Sequence, residues 1–211
     1  SPGQVVIPGL AALTQAKDFR GQLDLSNGAL QEQGAGLHAT VYVQPDTDTL
    51  VIDVTGANAE VQQTAKLMLW APRTPHAIAK GRIGLLSQAW VDNQQPESSG
   101  RRFGSLSAIT AQGRDVSVSV ADPLTVSVSF KPYADGHYRI LVGSPHFDGQ
   151  QDAYAAAQRA LRIAASMATP SGSRPFDGSS STISLGSPQS ALARKAPRLF
   201  QSESTWLRRT N

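Results

Sequence analysis

The side chains that could do acid–base work in this chain are its carboxylates and four histidines. Acetal hydrolysis needs an acid and a base flanking the bond, about 6.5–9.5 Å apart for inversion. The carboxylates with a recognisable local setting are Asp46, Asp48, Asp122, Asp135 and Asp148, and all five sit beside Pro, Gly or Thr in turn-like stretches. Asp in such places takes a backbone N–H two residues on, so turn and cap chemistry is the preferred reading over catalysis. Asp46-Thr47-Asp48 is like the start of a calcium loop but lacks that loop's Gly and distal Glu. His38, His76, His137 and His146 show no i, i+4 spacing and no Glu-x-x-His pattern, so no metal site is expected; His137 and His146 flank one strand. No Gly-x-Ser-x-Gly elbow and no phosphate-binding Gly-rich loop before a helix occurs, and no cofactor is expected. The catalytic set predicted from the residues is therefore none.

Aromatic side chains make the better case, and it is a case for binding. Sugars present C–H faces that stack on Trp and Tyr, while polar groups take the hydroxyls. Trp70, Trp90, Tyr42 and Tyr133 are the candidate carbohydrate contacts. Trp70 and Trp90 end strand-like runs, which would place them at a rim, although a core Trp is the commoner explanation. Tyr42 falls on the polar face of its strand with His38 and Thr40, where exposure would make it a contact. The pairs Arg101-Arg102, Arg194-Lys195 and Arg208-Arg209 read as solvated surface.

The elements that must position these residues are strands. Over 115–130, Val116, Val118 and Val120 alternate with Ser117 and Ser119, and then Leu124, Val126, Val128 and Phe130 with Thr125, Ser127 and Ser129. A period of two in β-branched residues means a strand with one buried face. The turns at Ala121-Asp122-Pro123 and Ala134-Asp135-Gly136 predict a three-stranded antiparallel meander ending at 137–143. Upstream, strands are predicted over 18–25, 29–33 (weakly), 37–44, 50–54, 62–70, 83–91 and 106–111, with turns at Asn27-Gly28, Gly34-Ala35-Gly36 and 45–48. The nearly continuous apolar run at 50–54 implies burial on both faces or a central place in its sheet. Residues 71–77 and 92–104 read as loops. The 150–167 stretch is Ala-rich without Gly or Pro, and Tyr154, Ala157, Leu161 and Ala164 form one helical stripe. Asp148 with Gln151 has capping-box spacing. Together these give a mainly β chain: an antiparallel β-sandwich with one C-terminal α-helix and a flexible tail.

Composition bounds the rest. At 211 residues the chain can bury a sizeable core as one domain. Residues 1–169 carry 13 basic and 14 acidic side chains, a net of −1, and residues 170–211 carry six basic and two acidic, a net of +4. A near-neutral body argues against a nucleic-acid groove. There is no cysteine, which removes thiol catalysis and thiolate metal sites, and no apolar run long enough for a membrane span. The predicted division is an irregular lead over 1–17, the sandwich with its helix over 18–168, and a Ser/Pro/Gly-rich basic tail over 169–211, expected to be disordered. A short helix is conceivable from Ser187-Pro188 to Lys195.

Several stretches in order have a familiar sequence. Asp18-Phe19-Arg20-Gly21-Gln22-Leu23-Asp24-Leu25-Ser26-Asn27-Gly28 is followed by Val41-Tyr42-Val43-Gln44-Pro45-Asp46 and Leu50-Val51-Ile52-Asp53-Val54, and later by a final strand at 138–143 running into an Ala-rich helix. Residues 18–167 thereby resemble the N-terminal sandwich domain, of supersandwich-like form, that precedes the helical barrel in glycoside hydrolase family 95 and its relatives. The resemblance implies an α-L-fucosidase-like, bacterial, carbohydrate-metabolising setting, secreted or periplasmic. It implies that the catalytic residues sit in a helical barrel outside this chain, and that this domain packs against that barrel through the 150–167 helix and rim loops. The partners it implies are that helical catalytic domain of the same polypeptide, or carbohydrate, with no nucleic acid. A free-standing secreted carbohydrate-binding or adhesion module is the alternative. A truncated gene product, suggested by the change of composition at Thr169, is a third.

Overall fold

A computed structural model describes residues 3–45, 47–93 and 100–166. In these residues twelve strands pair throughout antiparallel in two sheets, two strands more than the antiparallel sandwich the sequence predicts. The smaller sheet holds β1 (Gln4–Val6), β6 (Gln63–Met68), β11 (Thr125–Lys131) and β10 (Arg114–Asp122), in that order. The larger sheet runs β2 (Arg20–Asp24), β3 (Ala29–Gly34), β4 (Leu37–Gln44), β5 (Thr49–Thr55), β12 (Tyr138–Gly143), β9 (Arg101–Gln112), β8 (Ile83–Asp92) and β7 (His76–Lys80). A short helix α1 (Ala11–Thr14) and a long one, α2 (Ala153–Ser166), complete it.

Two cores follow from two kinds of strand. Ile52, Val54, Ile109 and Ile140 of the large sheet face Leu67, Val126, Val128 and Phe130 of the small one, and Tyr138 packs on Phe130 with ring centroids 5.0 Å apart. The opposite face of the large sheet presents Val51, Leu85, Ala108 and Leu141, and α2 covers them with Ala157 and Leu161. The apolar run of β5 is therefore buried alternately in both cores, and β5 lies centrally between β4 and β12. The Val/Ser alternation of β10 belongs to a strand covered on one side only, with Ser117 and Ser119 exposed.

The meander is corrected. β10 and β11 form the expected hairpin, with Val118 opposite Val128, but β11 pairs next with β6, and β12 enters the large sheet between β5 and β9. The turn itself forms: Gly136 N–H donates to the Tyr133 carbonyl at 2.9 Å, and Tyr133 N–H to that of His137 at 2.8 Å. Turn chemistry does not distinguish a hairpin from a corner between sheets. The strand decides, because Ile140 and Leu141 on opposite faces both need cover, which the centre of the large sheet supplies.

Other boundaries also move. The lead expected to be irregular contributes β1, which pairs with β6, and α1, whose Leu13 is fully buried. The 71–77 loop ends in edge strand β7, and β9 begins at Arg101 inside the stretch read as a loop. The helix starts at Ala153 and its cap is Asp152, whose carboxylate accepts the Ala155 N–H at 2.6 Å. The Asp148–Gln151 spacing makes its hydrogen bond one turn earlier, from Asp148 N–H to Gln151 Oε1 at 3.2 Å. The expectations for 169–211, including the basic pairs there and the helix from Ser187, lie outside the described residues.

Candidate functional site

Four carboxylates are committed to local turns. Asp24, Asp122, Asp135 and Asp148 each accept the N–H two residues on, from Ser26 (2.9 Å), Leu124 (2.8 Å), His137 (3.0 Å) and Gln150 (2.9 Å). The Ser26 hydroxyl and N–H hold the Asp24 carboxyl below its usual range. Asp48 occupies a turn at φ 47, and Asp46 lies outside the described residues. Among the described residues no group of three or more His, Cys, Asp or Glu could hold a metal ion, and no helix is long and apolar enough to cross a membrane.

Asp53 differs from these turn carboxylates, because its partners come from another strand and the corner before it and its side chain is largely buried. One oxygen meets His137 Nε2 at 2.8 Å and the other accepts from Arg139 Nε, with the Asp53 side chain only 12% exposed. Asp53 belongs to a polar row across the outer face of the large sheet, in which Gln31, Thr40, Asp53, Arg139 and Gln112 are successive cross-strand partners on β3, β4, β5, β12 and β9. Tyr42 lies one row nearer α2 and is 7% exposed, packed in the core under the helix. Its expected exposure on a polar face is thus corrected: that face is the one α2 covers. Burial raises its phenol above the ordinary value, Arg139 pulls it down, and Asp53 pushes it up.

Where the polar row meets α2 there is a cleft of about 520 Å³. Its wall on the helix is the ridge Tyr154, Gln158 and Arg162, at four-residue spacing. Arg82, Gln112 and Tyr133 face that ridge. Arg82 sits between β7 and β8; its guanidinium donates to the Gly113 carbonyl at 3.3 Å, and its own carbonyl accepts the Thr110 hydroxyl at 2.6 Å. Tyr133 leads the 133–136 turn, 41% exposed, with its ring 6.3 Å from that of His137. The Lys80 ammonium lies over the Tyr154 ring, 4.7 Å from its centroid.

The four aromatic candidates occupy separate places. Tyr133 lines the cleft and Tyr42 lies in the core. Trp90 is 45% exposed on the β8–β9 arm, stacked on Phe103 with centroids 6.2 Å apart. Trp70, 51% exposed, follows β6 in the small sheet. The histidines are equally dispersed. His137 binds Asp53, His38 and His76 are exposed on β4 and β7, and His146 lies at a second, apolar cleft of about 830 Å³ that includes residues of both sheets. Arg82 and Arg162 carry no individual mark in the sequence, and Tyr154 is marked only as part of the apolar helical stripe. The signal available was the 154, 158, 162 series along one edge of the helix.

No family model and no curated protein matches the chain. Two solved structures are similar to parts of it. One is a putative kojibiose phosphorylase from the human microbiome, 12% identical with a TM-score of 0.49, covering 78% of this chain and 25% of that one. The other is a family GH92 inverting mannosidase from Bacteroides thetaiotaomicron, 11% identical with a TM-score of 0.38, covering 64% of this chain and 21% of that one. The chain thus spans a quarter or less of the length of either, and the two are described as a phosphorylase and a mannosidase rather than a fucosidase.

Proposed function

We propose that this β-sandwich is the sugar-contacting accessory domain of a carbohydrate-active enzyme, and that the cleft beside α2 is where the sugar lies. The observation that carries the proposal is the composition of that cleft. The exposed Tyr133 lines one hollow with Tyr154, Gln158 and Arg162 of the helix and with Thr110 and Leu141 of the sheet. Tyrosine rings offer stacking surface to sugar C–H groups, and the amides of Gln112 and Gln158 donate and accept at hydroxyls. A cleft of this size suits a mono- to trisaccharide, within the usual range of about 300–1,000 Å³ for ligand sites.

Catalysis is assigned to another domain of the same polypeptide, in a secreted or periplasmic glycoside hydrolase. The family 95-like order of hairpins over 18–167 favours an α-L-fucosidase-like setting. The apolar stripe of α2 is already occupied by its own sheet, so a partner domain would have to meet the sandwich on other surfaces.

Calorimetric titration of the 211-residue chain with a panel of oligosaccharides tests the reading. The expected result is saturable heat with at least one glycan, weakened tenfold or more in Tyr133→Ala and unchanged in Trp90→Ala, with circular dichroism unaltered. Silence across the panel, or equal binding by Tyr133→Ala, contradicts it.

A further inference from the structure

The cleft beside α2 is cationic, and we infer that the saccharide it takes is an acidic one, bearing carboxylate or sulfate ester groups. This rests on the sugar reading of the cleft and adds a ligand class to it. Arg82 and Arg162 both line the hollow, and among the described residues no carboxylate lines it or pairs with either. The carboxylate on the adjoining polar row, Asp53, is already matched by Arg139 and His137. Lys80 adds a third positive charge at the Tyr154 end.

This concentration is local. Residues 1–169 carry a net charge of −1, so the cations gathered here are not a sample of a basic body. The C-terminal carbonyls of α2 oppose an anion with about half an elementary charge, against two whole guanidinium charges lining the same hollow. Arg82 is held in place by the Gly113 carbonyl, which uses one of its five donors. A planar guanidinium presents paired N–H groups that fit a carboxylate or sulfate edge, whereas a neutral sugar offers only single hydroxyls.

The test is a titration with matched pairs: an oligogalacturonide against its methyl ester, and a sulfated galactan oligosaccharide against its desulfated form, each at low and at physiological salt. The expected result is that the acidic member of at least one pair binds tenfold or more tighter, with an advantage that shrinks as salt rises. The two pairs distinguish carboxylate from sulfate. Arg162→Gln, a surface change, should remove most of that advantage. The basic stretch over 170–211 is the rival source of polyanion affinity. An acidic preference that survives the double change Arg82→Gln and Arg162→Gln therefore overturns the inference. Equal affinity within both pairs also overturns it and leaves the sugar reading standing. Binding of no member overturns both.

Discussion

Asp53 and Tyr138 show how differently a partly buried and a fully buried polar side chain in neighbouring strands hold this fold. Asp53 satisfies both oxygens with His137 and Arg139, so Asp53→Asn leaves the Arg139 guanidinium facing a neutral amide and replaces one of the two accepting oxygens with a donor. The pair is only partly buried, so the expected loss is about 1–3 kcal/mol rather than the larger cost of a dry interior. Urea denaturation measures it, and a loss under about 0.5 kcal/mol, the range of ordinary surface changes, would mean the clamp is ornamental. Tyr138 is stabilised as the neutral phenol, burial having pushed its pKa up to about 12. The folded state then holds the phenolic proton more tightly than the unfolded chain, whose value is near 10. Its contribution is complete below pH 10 and is lost as pH rises towards 12. The slope is about 1.4 kcal/mol per pH unit for one such group. Tyr138→Phe should flatten that alkaline limb relative to wild type. Identical limbs in the two proteins would contradict the assignment.

Helix α2 carries the site at the scale of elements. It is tied down by Leu161 and Ala157 at its face and by Asp152 at its start. Asp152→Ala should cost about 1 kcal/mol, the usual worth of an N-cap. Asp148→Ala should cost less, because Asp148 caps a turn outside the helix. Equal losses in thermal denaturation would mean that the helix starts at Asp148 after all. Much of this level was legible. The alternation of 116–120 and 124–130 gives β10 and β11, the run at 50–54 gives a strand covered on both sides, and the Ala-rich stripe gives α2. What escaped has physical causes. β7, His-Ala-Ile-Ala-Lys, is a short edge strand of weak β formers, held by pairing with β8 rather than by its own preference. The Ala134-Asp135-Gly136 turn is locally the same whether the next strand returns or crosses over, so the placement of β12 depends on distant partners on both sides, Gln112 of β9 and, 86 residues away, Asp53 of β5, both opposite Arg139.

The whole molecule explains why the candidate site was not legible. Eight strands against four leave the large sheet with an outer face that, among the described residues, α2 and the Phe147 segment before it cover in part. The cleft lies at the margin of that cover. It draws Arg82 from the β7–β8 corner, Gln112 from the end of β9, Tyr133 from the corner between sheets and Arg162 from the helix. These four come together only through the register of the large sheet, so reading aromatics one at a time reached Tyr133 and missed its neighbours. The same reading kept Tyr42 as a candidate contact on the polar face of its strand, because a pattern of His38, Thr40 and Tyr42 does not reveal a helix laid across one end of the strand.

The central claim, that sugar is held in the cleft beside α2, is tested most directly by chemical-shift mapping. The backbone amide spectrum of the isotopically labelled 211-residue chain would be followed during titration with a glycan that gives heat in calorimetry. The account predicts saturable shifts clustered at Tyr133, Gln112, Gln158 and Arg162, with Trp70, Trp90 and Phe103 unmoved. Shifts confined to the Trp90–Phe103 arm or to Trp70, with the cleft silent, would contradict it.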